Sequence, residues 1–261
     1  IKGWALSRYS GLWVGIKCLK DTIEVTEVVD ASYDRVKIVD PEDKDYEELN
    51  IRLGDTPPAR EDRLHNKKLK AAKVFARVND INKVDYLPAQ RRIGIISAGK
   101  SWLDTVHALS LLGIDRDEAE KYKLTTLKLG MVWPIDESVI REWASGLEKI
   151  LVVEEKRGLI ESQVKEALYG TRNSPQIIGK RDHNGDLLLP SNGVLDPIIV
   201  GKAIANELIG PSKSEKLENS LKLMSTSARS EANTPAPDRI PYFCSGCPHN
   251  SSTKVPEGSI A

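Results

Sequence analysis

The sequence is poor in the residues and runs that define several classes of protein. Its 261 residues include three cysteines, two phenylalanines and two methionines, and the 38 basic and 38 acidic side chains cancel. Three cysteines are too few for a disulfide scaffold, which favours a reducing, cytoplasmic setting. Zero net charge argues against a broad nucleic-acid surface, which needs a basic excess. Without a run of about 20 apolar residues, we expect no membrane span.

The remaining composition is that of a folded chain. Apolar residues make up 40% of the sequence and charged residues 29%, which argues against wholesale disorder. The length suits one large domain or two small ones. The chain begins with Ile1 instead of methionine, and its last residues follow a cysteine motif that looks incomplete. We therefore expect an internal piece of a longer polypeptide.

The first 90 residues combine weak strand signals with clear helix signals. Aromatic and β-branched residues predict strands at 13–18, 22–29 and 36–39. A short helix at 5–9 is expected to end at Gly11, and the acidic run 40–48 is typical of an exposed loop. Thr56 and Pro57 are typical of a helix start, and this helix is expected to reach about Asp80.

A regular alternation of strands and helices occupies residues 90–210. The predicted strands are 92–97, 124–129, 149–154 and 176–180, and the predicted helices are 101–112, 138–147, 159–169 and 196–210. Strands separated by single helices indicate an α/β fold, with a mostly parallel sheet and helices on both faces. The following segment, 211–240, has the Ser, Lys, Glu, Pro and Ala composition of a linker.

Residues Gly94–Ser101 match the letters of a phosphate-binding loop, between a predicted strand and a predicted helix. Such a loop must turn its backbone N–H groups toward the phosphate. Here Ile95 and Ile96 continue the strand, so a tight turn near Gly99 is the favoured interpretation. A nucleotide-binding protein remains the alternative.

Cys244 and Cys247 form the more informative motif, Cys-Ser-Gly-Cys-Pro-His-Asn. A two-residue gap allows both thiolates to face one metal ion or cluster, and Gly246 gives the backbone the freedom to wrap around it. A four-ligand centre needs two further groups, of which His249 is one candidate. An iron–sulfur half-site, a zinc-stabilised interaction domain and two ordinary thiols are all open interpretations.

Two other features receive a structural interpretation. Residues 182–186, with Asn-Gly at their centre, are typical of a turn, and we favour a turn over a metal site there. Cys18 lies in a predicted strand and is expected in the core.

Five segments together resemble a known family. In order they are WALSRYSGLWVG (4–15), GKSWLD (99–104), GMVWP (130–134), VVEEKR (152–157) and YFCSGCPHN (242–250). They resemble the long, fused indolepyruvate ferredoxin oxidoreductases, which are thiamine-diphosphate-dependent 2-oxoacid:ferredoxin oxidoreductases. The most specific resemblance lies at 152–157 and 244–254.

The resemblance implies a layout for the chain. Residues 1–25 would end a thiamine pyrimidine-binding domain, and 26–89 would connect it to a transketolase C-terminal-like α/β domain at 90–210. After the linker at 211–240, residues 241–261 would begin the diphosphate-binding domain. The fragment alone is expected to be inactive, and the complete enzyme is expected to be a cytoplasmic homo-oligomer.

The resemblance also implies chemistry. The reaction would be oxidative decarboxylation of an aryl 2-oxo acid such as indolepyruvate, with coenzyme A as acyl acceptor and ferredoxin as electron acceptor. Cys244 and Cys247 match two ligands of a [4Fe–4S] cluster. His249 and Asn250 would lie near thiamine diphosphate. No catalytic residue is assigned to this chain, and no residue here matches the acidic Mg²⁺ ligands.

Overall fold

The computed structural model describes residues 1–41, 49–50, 52–210, 213–232, 243–252 and 254–259. These residues divide into two units, Ile1–Ser225 and Thr226–Ala261. None of the helices among them is both long and apolar enough to cross a membrane.

A five-stranded sheet organises the first unit. Its strands are β1 (Lys83–Val84), β2 (Ile93–Ala98), β3 (Leu124–Leu129), β4 (Lys149–Val153) and β5 (Gln176–Ile178), arranged in the order β1-β3-β2-β4-β5. The short β1 is antiparallel to β3, whereas β2 is parallel to both β3 and β4, and β4 is parallel to β5. The predicted mostly parallel sheet is confirmed.

Helices cover both faces of this sheet, as predicted. They are α5 (Gly99–Leu111), α6 (Arg116–Tyr122), α7 (Glu137–Ala144), α8 (Ile160–Leu168) and α9 (Pro197–Ala203), with a π-helical turn at Ile204–Ile209 after α9. Successive strand side chains point to opposite faces. Thus Ile93 and Ile95 are buried with residues of α5, α6 and α9, while Ile96 is buried with residues of α7 and α8.

Local signals explain where these helices begin and end. The carboxylates of Asp115 and Asp136 accept backbone N–H groups at the starts of α6 and α7, and Asp196 does so for α9, where Pro197 occupies the first helical position. Gly210, at φ 59°, follows the π-helical turn. The predicted ends agree with the observed ones to within about three residues.

A smaller cluster joins the N-terminal helices. Helix α1 (Lys2–Ser10) ends at Gly11, as predicted. The predicted second helix comprises α3 (Pro57–Arg63), a π-helical turn (Leu64–Lys68) and α4 (Leu69–Val78). Leu6 of α1 is buried with Phe75 of α4 and with Met131.

The strands predicted at 13–18, 22–29 and 36–39 are wrong. Within residues 1–41, all of which the structure describes, there is no strand, and a short helix α2 lies at Lys20–Ile23. Trp13, Val28 and Tyr33 are fully exposed. Cys18 is exposed as well, so the prediction that it lies in the core is wrong. β-Branched residues favour a strand only when a partner strand and a packing surface are present. Most of the predicted acidic loop, at 42–48, lies outside the described residues.

The segment expected as a linker contains a helix, α10 (Glu215–Ala232). Leu217 and Met224, seven residues and two turns apart, are buried in the core on the α5 and α9 face of the sheet. Two apolar residues with helical spacing are enough to anchor the segment, although its mean composition is polar. Residues 211–212 and 233–240 lie outside the described part of the chain.

Candidate functional site

The region that matched a phosphate-binding loop is a strand in the middle of the sheet. Ile95, Ile96 and Ser97 pair with β3 on one side and with β4 on the other. Their N–H groups therefore belong to sheet ladders and do not converge on an anion. Gly94 is needed for packing, since a Cβ atom there would lie 2.7 Å from both Trp143 and Leu147.

The lysine of the same motif is occupied by protein groups. Lys100 Nζ lies 3.0 Å from Asp104 Oδ2 and 3.2 Å from Glu155 Oε1, and it also donates to the Leu195 carbonyl. Burial acts to lower the pKa of Lys100, but its bonds to Asp104 and Glu155 outweigh burial and raise that pKa. Burial raises the pKa of the Asp104 carboxyl, and Lys100 offsets part of that rise. The phosphate-loop alternative is therefore wrong: the Lys100 ammonium group binds protein carboxylates and a backbone carbonyl in place of a phosphate.

The Lys100 cluster lies where an open α/β sheet would normally bind a ligand. Strand β2 lies between β3 and β4, so the order of the strands in the sheet reverses at β2. In open α/β sheets, ligands bind at the carboxyl ends of the strands beside such a reversal. Here three ammonium groups donate to one segment of chain, Lys180 to Pro190, Lys156 to Gly193 and Lys100 to Leu195. The segment and its lysines therefore occupy the carboxyl ends of β2, β4 and β5.

Glu154, the residue after β4, organises the next helix. Its two carboxylate oxygens accept the N–H groups of Leu159, Ile160 and Glu161 at 2.8–2.9 Å. These three bonds satisfy N–H groups that the start of a helix leaves without a partner inside the helix. Glu154 is the first glutamate of the 152–157 segment, one of the segments that resemble the family. Its role in the structure is to cap the start of α8.

An apolar patch is exposed beside this capped helix. Val132, Trp133 and Leu159 are 39%, 60% and 49% exposed. The Gln163 amide joins the two parts of the patch, because its Nε2 donates to the carbonyls of Val132 and Leu159. Exposed groups of large apolar residues mark contact surfaces, so this edge is suited to packing against another domain.

In the second unit, the two sequence-predicted metal ligands lie in one tight turn. Cys247 N–H donates to the Cys244 carbonyl at 3.0 Å, and the side-chain amide of Asn250 donates to the same carbonyl at 2.9 Å. Gly246 has φ 80°, a value that favours glycine. Both thiols are free, with Cys244 exposed and Cys247 partly buried. The turn is thus held by hydrogen bonds while its thiols stay accessible.

The other two predicted site residues support that turn. His249 begins a short helix, α11 (His249–Ser252), and its ring lies 5.2 Å from the ring of Phe243. The Asn250 amide is engaged with Cys244, so the structure places it as a brace of the cysteine turn. A cluster or metal held by two such thiolates would still need two ligands, and the donor set fits half of a four-ligand centre.

Two groups of neighbouring side chains could not be predicted from the sequence. One is the Lys100–Asp104–Glu155 cluster, for which the four-residue spacing of Lys100 and Asp104 was the only local sign. The other brings Asp182 and His183, seen as a turn, to Glu207 in the π-helical turn. Both depend on segments that are distant in the sequence.

Together these features define a class: an α/β domain with a mostly parallel sheet, followed in the chain by a turn that carries two free cysteines. The family is more specific. Residues 86–231 match the model of the indolepyruvate oxidoreductase domain, and the chain belongs to this family.

Curated relatives support the assignment. The chain is 27% identical over 185 residues to the indolepyruvate oxidoreductase subunit IorA of Methanothermobacter thermautotrophicus, covering 70% of this chain and 26% of that protein. It is 28% identical to the IorA subunit of Pyrococcus abyssi over 63% of this chain and 22% of that protein. It is 29% identical to the IorA subunit of Archaeoglobus fulgidus, over 71% of this chain and 26% of that protein. The chain thus spans about a quarter of the length of the relatives it matches.

Two solved structures are distantly similar. One is the 2-oxoglutarate:ferredoxin oxidoreductase of Magnetococcus marinus, at a TM-score of 0.40 and 17% identity, covering 59% of this chain and 24% of that one. The other is a split-gene transketolase, at a TM-score of 0.35 and 22% identity, covering 48% of this chain and 41% of that one.

Proposed function

We propose that this chain is part of an enzyme that oxidatively decarboxylates an aryl 2-oxo acid, indolepyruvate, with coenzyme A as acyl acceptor and ferredoxin as electron acceptor. The observation that carries the proposal is the family match at 86–231, which includes the four parallel strands β2 to β5. The named activity of the curated relatives supports the same reaction class.

Within this enzyme we assign residues 90–210 a scaffold role, as a transketolase C-terminal-like domain. The carboxyl ends of β2, β4 and β5 are occupied by Lys100, Lys156 and Lys180 and by the segment to which they donate, which supports placing the chemistry in neighbouring domains. The exposed patch at Val132, Trp133 and Leu159 suits a domain contact. Residues 1–25 and 241–261 are assigned to the neighbouring pyrimidine-binding and diphosphate-binding domains, and the assembled enzyme to a cytoplasmic homo-oligomer.

Cys244 and Cys247 are assigned as two ligands of a [4Fe–4S] cluster, with His249 and Asn250 near thiamine diphosphate. When bound, thiamine diphosphate supplies an electron sink for decarboxylation, and the cluster carries single electrons toward ferredoxin. The chain's own contribution is positional. The bonds from Cys247 N–H and the Asn250 amide to the Cys244 carbonyl hold the two thiols in one turn before any ligand binds.

Iron and labile sulfide in the complete, anaerobically purified enzyme test the ligand assignment. Cys244→Ser and Cys247→Ser are expected to lower cluster occupancy severely. Cys18→Ser is the matched control, because Cys18 is exposed and lies in the other unit. Full occupancy in both turn variants would refute the assignment. Zinc without iron would support the zinc-stabilised interaction domain in its place.

Viologen reduction by the complete enzyme tests the reaction. Reduction is expected only when indolepyruvate, coenzyme A and thiamine diphosphate are all present, and omitting any one of them should abolish it. If iron is present but indolepyruvate is inert, phenylpyruvate and branched 2-oxo acids would identify the substrate class. Reduction without coenzyme A would contradict the proposed acyl acceptor.

A further inference from the structure

Three potential metal ligands from two separate segments meet on the first unit. Asp182 and His183 come from the turn that links Arg181 to Leu187, and Glu207 comes from the π-helical turn after α9. One ligand atom of each residue lies within 4.8 Å of the other two. We propose that Asp182, His183 and Glu207 bind a divalent transition-metal ion of the zinc type. This inference is independent of the proposed function.

The donor set is mixed, which separates it from an ordinary group of surface acids. One imidazole nitrogen and two carboxylate oxygens are ligands that Zn²⁺ uses at bond lengths of about 2.0–2.2 Å. His183 Nδ1 lies 3.9 Å from Glu207 Oε2, which is too long for a hydrogen bond. Two ligands of one tetrahedral zinc ion are about 3.4 Å apart by the same bond lengths. The His183–Glu207 pair would therefore close by about 0.5 Å, and no pair among the three ligands by more than about 1.4 Å.

The carboxylate from the turn is already oriented. Asp182 Oδ1 accepts the N–H groups of Asn184 at 2.8 Å and Asp186 at 2.9 Å, which leaves Oδ2 available to an ion. The backbone of the turn therefore positions this carboxylate, and a cation can bind to its second oxygen without breaking these bonds.

The second segment is anchored as well. Lys149 Nζ donates to the Glu207 backbone carbonyl at 2.8 Å, which ties the π-helical turn to the start of β4. Glu207 also lines a cavity of 200 Å³ together with Lys202 and Asn206. Three protein ligands leave a fourth zinc position free, and the cavity gives water or a small anion access beside it.

Zinc titration of the full chain by isothermal calorimetry tests the proposal. The parent for this experiment has Cys18, Cys244 and Cys247 all replaced by Ser, so that no thiolate competes for zinc. One equivalent of Zn²⁺ is expected to bind. His183→Ala and Glu207→Gln should each weaken binding by about tenfold or more, while His107→Ala, an exposed histidine on α5, should not.

Two results would overturn the proposal. One is the absence of zinc binding by the cysteine-free chain at micromolar concentrations. The other is an affinity that neither His183→Ala nor Glu207→Gln changes. Glu207→Gln keeps the shape of the side chain, so it remains a valid test if the histidine variant is unstable. Co²⁺ provides a second readout, because ligation by these groups gives visible absorption bands that both variants should lose.

Discussion

The indole ring of Trp143 lies against the backbone of Gly94. A Cβ atom at Gly94 would approach Trp143 Cη2 to 2.7 Å, and Leu147 Cδ1 equally closely. Gly94 belongs to the central strand β2 and Trp143 to α7, so the absent side chain is what allows this helix to pack on the sheet. The glycine that completed a phosphate-loop pattern in the sequence is thus explained by packing.

Gly94→Ala is therefore expected to destabilise the chain. The new methyl group must displace buried ring atoms, which costs about 1–3 kcal/mol in the free energy of unfolding. Urea unfolding followed by circular dichroism measures this cost. Gly54→Ala is the control, since no atom lies within 4 Å of a Cβ there, and it should change stability by less than about 0.5 kcal/mol. Equal effects of the two substitutions would contradict the packing explanation.

Lys100→Met should destabilise the chain by about 3 kcal/mol, because it leaves the buried Asp104 carboxylate without its counter-charge. The exposed Lys67, replaced in the same way, should have little effect. Thermal unfolding of both variants gives the comparison.

Millimolar ATP with Mg²⁺ should not shift the melting temperature of the parent chain. A nucleotide-dependent shift that Lys100→Met removes would restore the phosphate-loop interpretation.

Asp136 makes a pH-dependent contribution to stability. Burial acts to raise its pKa, but hydrogen bonds from Ser138 and Arg77 outweigh burial and lower the pKa below 3.8. The ionised form is thus favoured in the folded state, so its contribution is present above pH 3.8 and is lost as the pH falls through the lowered value.

Asp136→Ala should consequently cost about 2–3 kcal/mol near pH 7, where it removes both the helix cap of α7 and the ion pair with Arg77. Its deficit relative to the parent should shrink as the pH is lowered below 3.8. Urea unfolding at a series of pH values measures the deficit. A deficit that is constant with pH would mean that the Asp136 charge makes no contribution. Asp117→Ala, at an exposed position of α6, provides the neutral-pH control.

Helix α10 offers a comparison between two leucines of one element. Leu217 is 2% exposed and Leu223 is 71% exposed. Leu217→Ala should cost about 2–4 kcal/mol, because it leaves a cavity in the core, whereas Leu223→Ala should change stability by less than about 0.5 kcal/mol. Chemical unfolding of the full chain distinguishes them. Two small effects would mean that residues 215–225 behave as the linker that their composition suggested.

The parallel sheet could be predicted from sequence because its signals are local. Strands such as β4 are short apolar runs, and helices such as α9 carry their own start signals in Asp196 and Pro197. The same local rules failed for 22–29, where β-branched residues find no partner strand within residues 1–41. They failed again for 215–225, where Leu217 and Met224 anchor a helix that composition concealed.

The candidate sites divide in the same way. Cys244 and Cys247 were visible in the sequence, because a two-residue spacing by itself allows two thiolates to reach one centre. Their assignment as cluster ligands stays a prediction. The Lys100, Asp104 and Glu155 cluster was not visible, and neither was the meeting of His183 with Glu207.

The sequence by itself determined the α/β alternation, the start of α9 at Asp196 and Pro197, the cysteine motif and the resemblance to the oxidoreductase family, because each depends on residues that are neighbours within short segments of the chain. Only the tertiary structure decided that Gly94 lies under Trp143 and that Lys100 bonds to the Glu155 carboxylate and the Leu195 carbonyl. Those contacts join segments about 50–100 residues apart, and the free energy that selects them comes from burying the groups together.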